Sequence, residues 1–384
     1  MNLMHFLKYG IFTLIETIFR FVPLPCRTGL IQIGNPDNRS PVFLTGNYHL
    51  TVMRVKNALQ GQNAFLLVAN SRGINVWCAA AGGHFTHHDV ISSLKISGIE
   101  GLVAHRKVIL PQLAACGIEA RAIHQSSGWR VIWGPVYARD IPDFLEKGKI
   151  KTDDMREVRF SLSQRLEMAV AWAFPISLVF SPAILFFKSH SIGPAILAIW
   201  SLSFFIFISF PLFLPLLRGQ ILKNDPVRSG LAQLIPSLIL LLVSFSGLVL
   251  FGLLTANFSL SFLLFWGIVL GAAVFILMID LPGSTPLLVS GFREEKSYKI
   301  VLDRERCRGA AFCRMVCPQN CFDLEARVHK ASFARGDKCI RCGACIVQCP
   351  FDALAFIDSK GRKILPEHIR KYKTSLFGKR RRAD

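Results

Sequence analysis

Acidic side chains are scarce in this chain: 25 aspartates and glutamates stand against 45 lysines and arginines in 384 residues, a formal net charge of +20. Positive balance alone does not make a nucleic-acid binder. Much of the excess flanks long apolar runs or sits in the tail 379–382, where anionic lipid is the ordinary counterpart. Membrane lipid is therefore expected as a partner, and nucleic acid is not.

Ionisable residues are nearly missing from four stretches, 168–187, 192–217, 231–254 and 260–279. Their absence argues against buried helices of a soluble protein, and each run is long enough to cross a hydrocarbon core. Acid pairs and cation ladders are missing too, which argues against an ion path. Pro175, Pro182, Pro211, Pro215 and Pro236 are potential kinks that neighbouring helices can absorb. The second connection carries Arg218, Lys223 and Arg228, the first only Lys188, and the third, 255–259, none. Positive-inside bias then puts the second connection and both termini in the cytoplasm, for a multi-pass protein of the inner (cytoplasmic) membrane. Lys149, Lys151, Arg156 and Arg159 before the runs, with Arg293, Lys296 and Lys299 after them, agree. Residues 6–22 are interrupted by Lys8, Glu16 and Arg20, and no small-residue cleavage site follows. That leaves an interfacial amphipathic helix or a core-packing helix.

The long insert between two C-x2-C knuckles that marks a zinc ribbon is also lacking. Instead Cys339, Cys342, Cys345 and Cys349 precede Pro350 with the spacing C-x2-C-x2-C-x3-C-P, which serves a [4Fe–4S] cluster. Cys307, Cys313, Cys317 and Pro318 repeat the frame with Ala310 at the second cysteine position. In two-cluster ferredoxins the last cysteine of each run ligates the other cluster. One complete set is thus Cys317, Cys339, Cys342 and Cys345. The other is Cys307, Cys313 and Cys349, giving a [3Fe–4S] cluster, a [4Fe–4S] cluster with Cys321 as substitute ligand, or no cluster. Exposed thiolate clusters suit a reducing compartment.

Ahead of the apolar runs, 30–148 alternates short apolar segments with helical patterns. Strands are predicted at 41–44, 64–68, 74–77, 108–110 and 130–133, and helices near 49–59 and 88–97. This order implies a Rossmann-like α/β domain that binds ligands at the carboxyl ends of its strands. At such an end lie Asn75, Val76, Trp77, Cys78, Ala79, Ala80, Ala81, Gly82, Gly83 and His84. A cysteine followed by small residues lets a large flat ligand approach the backbone. A buried structural thiol in a packed turn is the plainer alternative. His84, His87 and His88 are alternative metal ligands or a solvated helix start, with Asp89 a cap or charge partner.

The run 75–80, with Thr45-Gly46-Asn47-Tyr48 upstream and 280–286 after the last apolar run, resembles the mercury-methylating corrinoid membrane proteins. Their corrinoid domain is similar to that of the corrinoid iron–sulfur protein of the acetyl-CoA pathway. The family uses a separate ferredoxin, so this chain looks like a fusion of the two. The resemblance implies a cobalamin-type corrinoid, with Asn75, Val76, Trp77, Cys78, Ala79 and Ala80 in a helix capping its lower face. It places Thr45 nearby and the Cys78 sulfur toward cobalt, as the catalytic position. A soft thiolate there would favour release of a methyl group as a carbanion, which mercuric ion can accept. The chain departs from the pattern at Ala81 and at Gly83-His84, where the family has a lysine.

The implied organisation is an amphipathic segment at 1–29, a corrinoid-binding α/β domain at 30–160 and a four-helix transmembrane domain at 165–282. A linker at 283–297, an α+β bacterial-ferredoxin-like domain at 298–357 and a basic tail at 358–384 complete it. The implied function is corrinoid-dependent methyl transfer with mercuric ion as candidate acceptor. It needs a methyl donor protein or methyl-pterin enzyme and an electron donor. Two readings compete with it: a methyl carrier of one-carbon metabolism, and a membrane-anchored iron–sulfur electron carrier without methyltransferase activity.

Overall fold

The computed structural model describes residues 3–20, 22–222, 238–250, 253, 259–289, 294–374 and 379–382. It comprises two compact units. One joins Met1–Val22 to Arg159–Gly291, and the other joins Pro23–Val158 to Phe292–Asp384.

The first unit is helical. Helix α1 (Leu3–Ile18) ends beside the Arg20–Glu167 ion pair at 2.8 Å. It buries Glu16 and leaves Ile11 and Leu14 exposed, so an apolar face points away from this unit. Residues 23–158, with seven α-helices of their own, belong to the second unit and separate α1 from the next helix of this one. Helix α9 (Leu162–Lys188) starts at a Ser161–Gln164 capping box and contains Pro175 and Pro182. A short turn, Ser189–Ser191, returns the chain as α10 (Ile192–Ile208). The two run antiparallel, because Ser203 Oγ donates to Ala169 O at 2.8 Å while Trp200 Nε1 donates to Ser177 Oγ at 3.1 Å.

The predicted second run is not one helix. It breaks at Ser209, where Ser209 Oγ donates to Phe205 O, and resumes as α11 (Phe210–Leu222). Pro211 lacks the N–H that a continuous helix would need. Helix α12 (Leu238–Leu250) covers part of the third run. Lys223 and Arg228 of the second connection, most of 255–259, and Arg293 of the linker lie outside the described residues. Helix α13 (Leu260–Ser284) continues through Pro282 and Gly283, so 280–284 of the matched stretch 280–286 is helical. Its end is fastened to α9 by Trp172 Nε1, which donates to Ser284 Oγ at 2.8 Å.

Two apolar helical stretches, Leu162–Pro215 and Leu260–Leu281, are long enough to cross a membrane. Their outer faces are bare, with Phe186 at 84% and Phe187 at 80% exposure. Apolar surface on that scale is foreign to a water-facing monomer.

The second unit begins with a five-stranded sheet. Its strands are β1 (Gly29–Ile33), β2 (Val42–Gly46), β3 (Ala64–Ala69), β4 (Lys107–Leu110) and β5 (Arg130–Trp133), in the order β1-β3-β2-β4-β5. Strands β2 to β5 are parallel, and β1 pairs antiparallel with β3 as an edge that the sequence did not reveal. Helices α2 (His49–Ala58), α3 (Val76–Gly82), α4 (His87–Ile96), α5 (Ile99–Leu102) and α6 (Ala120–Ser127) connect them. Helices α7 (Ile141–Glu146) and α8 (Asp153–Arg156) follow. Strands β2 and β3 are fully buried, which fits their continuous apolar composition. The strand predicted at 74–77 is instead the start of α3. Asn75 caps it by accepting from Trp77 N at 3.0 Å, and that side-chain bond favours a helix start over an extended run.

The iron–sulfur half is α+β. Strand β6 (Lys299–Leu302) pairs antiparallel with β9 (Leu354–Ile357). Between them lie α14 (Phe312–Val316), the hairpin β7 (Asp323–Glu325) and β8 (Lys330–Ser332), and α15 (Ala344–Gln348). The chain past 357 is more than a basic tail. Strand β10 (Lys363–Ile364) joins β9, α16 (Pro366–Lys371) packs beside α15, and β11 (Tyr372–Thr374) pairs with β12 (Arg380–Arg382).

Both halves of this unit share one core, in which Val316 and Ala344 pack with Val76, Ala80 and Cys116. A close approach within it is at Gly117, where a β-carbon would overlap the carbonyl oxygen of Ala80 on α3. Replacing Gly117 with alanine forces two backbones apart. Chemical unfolding of the full chain in detergent is expected to show a loss of about 1–3 kcal/mol for Gly117→Ala.

Candidate cofactor and iron–sulfur sites

Strand β2 is followed by β3 on one side of it and by β4 on the other, so the chain reverses its direction of build between β2 and β4. Open α/β sheets bind ligands in the crevice that this reversal opens at the carboxyl ends of the strands. Thr45 lies at that end of β2. It is 2% exposed, and its Oγ1 has no hydrogen-bond partner among the described residues. The indole nitrogen of Trp133, at the same end of β5, is also buried without one. Buried polar atoms in native proteins nearly always have a partner, and these two lie at the carboxyl end of the sheet, Trp133 on the face of Val42 and Leu44 and Thr45 on the face of Phe43.

Helix α3 lies next to this mouth. A side chain at Gly46 would overlap Ser71 Oγ and touch Val76, the first residue of α3. Asn47 ties the loop before the helix: its Oδ1 accepts from Ser71 N at 2.9 Å and Gly73 N at 3.0 Å. On α3, Val76, Ala79 and Ala80 face the core while Cys78 is exposed, and Trp77 is half-buried. The helix closes on Gly83 in the left-handed conformation. The segment that carries Thr45 and the 75–80 run, both drawn from one resemblance, meet where Gly46 approaches Ser71 and Val76. An exposed sulfur on a helix of small residues next to the carboxyl end of the sheet suits a flat cofactor carrying a soft metal.

The histidines divide. His84 follows the Gly83 turn, its ring against Gly82. His87 and His88 open α4 with ring centroids 4.2 Å apart. Asp89 closes a capping box, its Oδ2 accepting from Thr86 N at 2.7 Å and Thr86 Oγ1 at 2.8 Å. His87 is not solvated as its sequence setting suggests. Burial, with repulsion from His88 and Lys373 and against the pull of Asp89, holds its pKa at about 4.

The cysteines form two sets. Cys342 and Cys345 are influenced by Cys317 and Cys339, and Cys313 by Cys349 and Cys307, with Cys313 also reaching Cys345 across the two sets. The second group lines a cavity of about 20 Å³ together with Ala310. Cys321 is not with it. Its backbone N–H donates to Cys317 Sγ at 3.3 Å, and its thiol hydrogen-bonds with Cys317 and Cys339. The substitute-ligand position anticipated for Cys321 is therefore not where the fold puts it, because the turn after Pro318 carries it toward the complete set. Its hydrogen bond pulls Cys317 down to about 7, and burial raises Cys342 and Cys345. A buried thiol gives up its proton readily only to a cation that takes the proton's place. Among the described residues no three of these sulfurs sit close enough for a single metal ion, and a cluster needs wider spacing.

Three residues here escaped the sequence reading. Asn47 stood inside a quoted motif without an assigned role. Gly117 and Gln348 bear no local signal, since each matters only through a contact more than thirty residues away.

Comparison with known proteins agrees with the two halves. Residues 9–145 match the family model described as CO dehydrogenase/acetyl-CoA synthase delta subunit, and residues 299–362 match that of a 4Fe-4S dicluster domain. The chain is similar to the acetyl-CoA decarbonylase/synthase complex subunit gamma of Archaeoglobus fulgidus. Identity is 36% over 143 residues, which is 37% of this chain and 29% of the relative. For the subunit of the same name from Methanothermobacter thermautotrophicus it is 37% over 121 residues, or 31% and 26%. The chain thus spans under a third of the length of these curated relatives. Their names belong to acetyl-CoA synthesis, the setting of the protein to which the sequence compared its first domain.

The buried imidazole gives a pH test. An unfolded chain protonates His87 near 6.5 and the folded one only near 4, so the unfolded state holds more protons in between. The contribution is present above 6.5 and lost as pH falls through 4. Unfolding midpoints should decline across that window, and His87→Phe should flatten the decline.

Proposed function

We propose that the chain is a corrinoid-dependent methyl carrier whose iron–sulfur half delivers electrons to the corrinoid, held at a membrane by its apolar helices. The observation that supports this best is the Cys78-bearing helix of small residues standing next to the carboxyl end of β2, at the sheet's switch point. Similarity of this region to acetyl-CoA decarbonylase/synthase gamma subunits adds to it. When bound, a corrinoid supplies a cobalt that accepts and passes on a methyl group.

The rest is work for the protein's own side chains. Cys78 offers a soft donor from an exposed helix face, with Ala79, Ala80 and Gly82 keeping bulk away from it. Asn75 fixes the start of that helix and Gly83 its end, which limits where the sulfur can point. Thr45 offers a hydroxyl that either donates to or accepts from the ligand edge. The set Cys317, Cys339, Cys342 and Cys345 would hold one [4Fe–4S] cluster. Cys307, Cys313 and Cys349 would hold a second, of three or four irons, with Ala310 at the missing corner. A low-potential donor outside the chain supplies the electrons.

Mercuric ion is the acceptor suggested by the resemblance of residues 75–80, and it is a substrate, not a resident metal. The names of the relatives favour a second acceptor, a protein partner in acetyl-CoA chemistry, with methyl groups arriving from a methyl-pterin enzyme or a methyl donor protein. The bare faces of α9, α10 and α13 support membrane anchoring.

Reconstitution with cobalamin tests the proposal. Corrinoid absorption is expected to copurify with the full chain, and Cys78→Ala should shift the spectrum in at least one cobalt oxidation state. Protein that holds iron but never a corrinoid would sink the reading. Methylated protein offered mercuric ion or a thiol would then separate the acceptors.

A further inference from the structure

We infer that Gln348 is the positioning residue that seats the set Cys317, Cys339, Cys342 and Cys345 against residues 112–117. This set is then the one that passes electrons toward the cofactor site. The inference rests on the corrinoid reading above and goes further, by choosing between the two cysteine sets and naming what holds the chosen one.

Gln348 lies on α15, between Cys345 of one set and Cys349 of the other, and is 7% exposed. Its Nε2 donates to Ala115 O at 2.8 Å and Ile118 O at 2.6 Å, and its Oε1 accepts from Ala120 N at 3.3 Å. Both amide hydrogens are used, so the side chain matches the loop that it meets. Immediately past this contact, Gly117 presses on Ala80 of α3, the helix that carries Cys78. The contact path from α15 to α3 is therefore one loop thick.

The two sets face this loop differently. Cys342 and Ala344 pack into the core that holds Cys116, Ala80 and Val76. Cys349 of the other set borders a cavity of about 290 Å³ that Gln348, Arg121, His124 and Arg130 also line. Electron tunnelling weakens more steeply across open space than through packed atoms, which favours the packed set. Further ties hold the same seam. Lys151 Nζ donates to Gln112 Oε1 and to Met315 O, the latter at 3.0 Å, and Val158 N donates to Pro318 O at 2.8 Å. Thr374 O comes within 3.8 Å of where a β-carbon of Gly82 would lie, so β11 touches the other end of α3.

Each transfer moves one electron. The cluster is oxidised by one unit, the cobalt is reduced by one, no bond forms or breaks, and the outside low-potential donor refills the cluster.

The test compares the full chain with Gln348→Leu and Gln348→Glu. Leucine removes the donor from two buried carbonyls, and glutamate puts an acceptor against them. Amide hydrogen exchange in residues 112–120 and in α3 is expected to rise about tenfold in both variants. Photoreduction of cobalamin-loaded protein should still reduce the clusters, while cobalt reduction slows severalfold. Unchanged exchange would overturn the seating role. Raised exchange with unchanged cobalt reduction would overturn the choice of cluster. Should Gln348→Leu lose iron, Gln348→Asn shortens the same amide and carries the test. Exchange is read without corrinoid, so failure to bind cobalamin would count against the proposed function and leave the seating result standing.

Discussion

The Ala115 and Ile118 carbonyls meet a single side-chain amide, that of Gln348, and the organisation of the second unit follows from that contact. Buried carbonyls need donors, and this loop takes them from the iron–sulfur half. Docking of the two halves and completion of the loop are consequently one event. Because Gly117 then leaves no room beside Ala80, the position of α3 is set by the same event. An electron-transfer module tethered by a flexible linker would have no such hold on the cofactor helix. Here the chain builds the module into the helix's support, and β11 reaches back to its far end.

What was legible in the sequence is what is written locally. Cysteine spacing was legible because a tight loop can place its sulfurs in few ways. The parallel strands at β2, β3, β4 and β5 were legible as short apolar runs between helical patterns. The misreading at 74–77 is instructive, since four residues are too few to show a period, and the decisive signal was the capping side chain of Asn75. The Ser209 break was marked by Pro211, which the sequence reading treated as a tolerated kink. Strand β1 and the elements after 357 went unseen because pairing, not composition, makes them strands.

The candidate site was legible only in part. Thr45 and Cys78 came from resemblance, and the fold brings their segments together. Asn47, Gly117 and Gln348 matter through contacts across chain distance, and no local pattern encodes those. Cys321 shows the same limit from the other side. Counting cysteines suggested it for the deficient set, while the turn after Pro318 delivers it to the full one, where its hydrogen bonds tune Cys317 and Cys339.

The central claim is that a reduced cluster and the cofactor metal share one rigid body with the Cys342 set nearer. Electron paramagnetic resonance of cobalamin-loaded chain, poised so that cobalt and the Cys342-ligated cluster are both paramagnetic, measures this directly. The account predicts a magnetic interaction that splits or broadens the cobalt signal and vanishes in Cys342→Ser but not in Cys307→Ser. Two superimposed, non-interacting spectra, or a coupling that vanishes in Cys307→Ser alone, would contradict it.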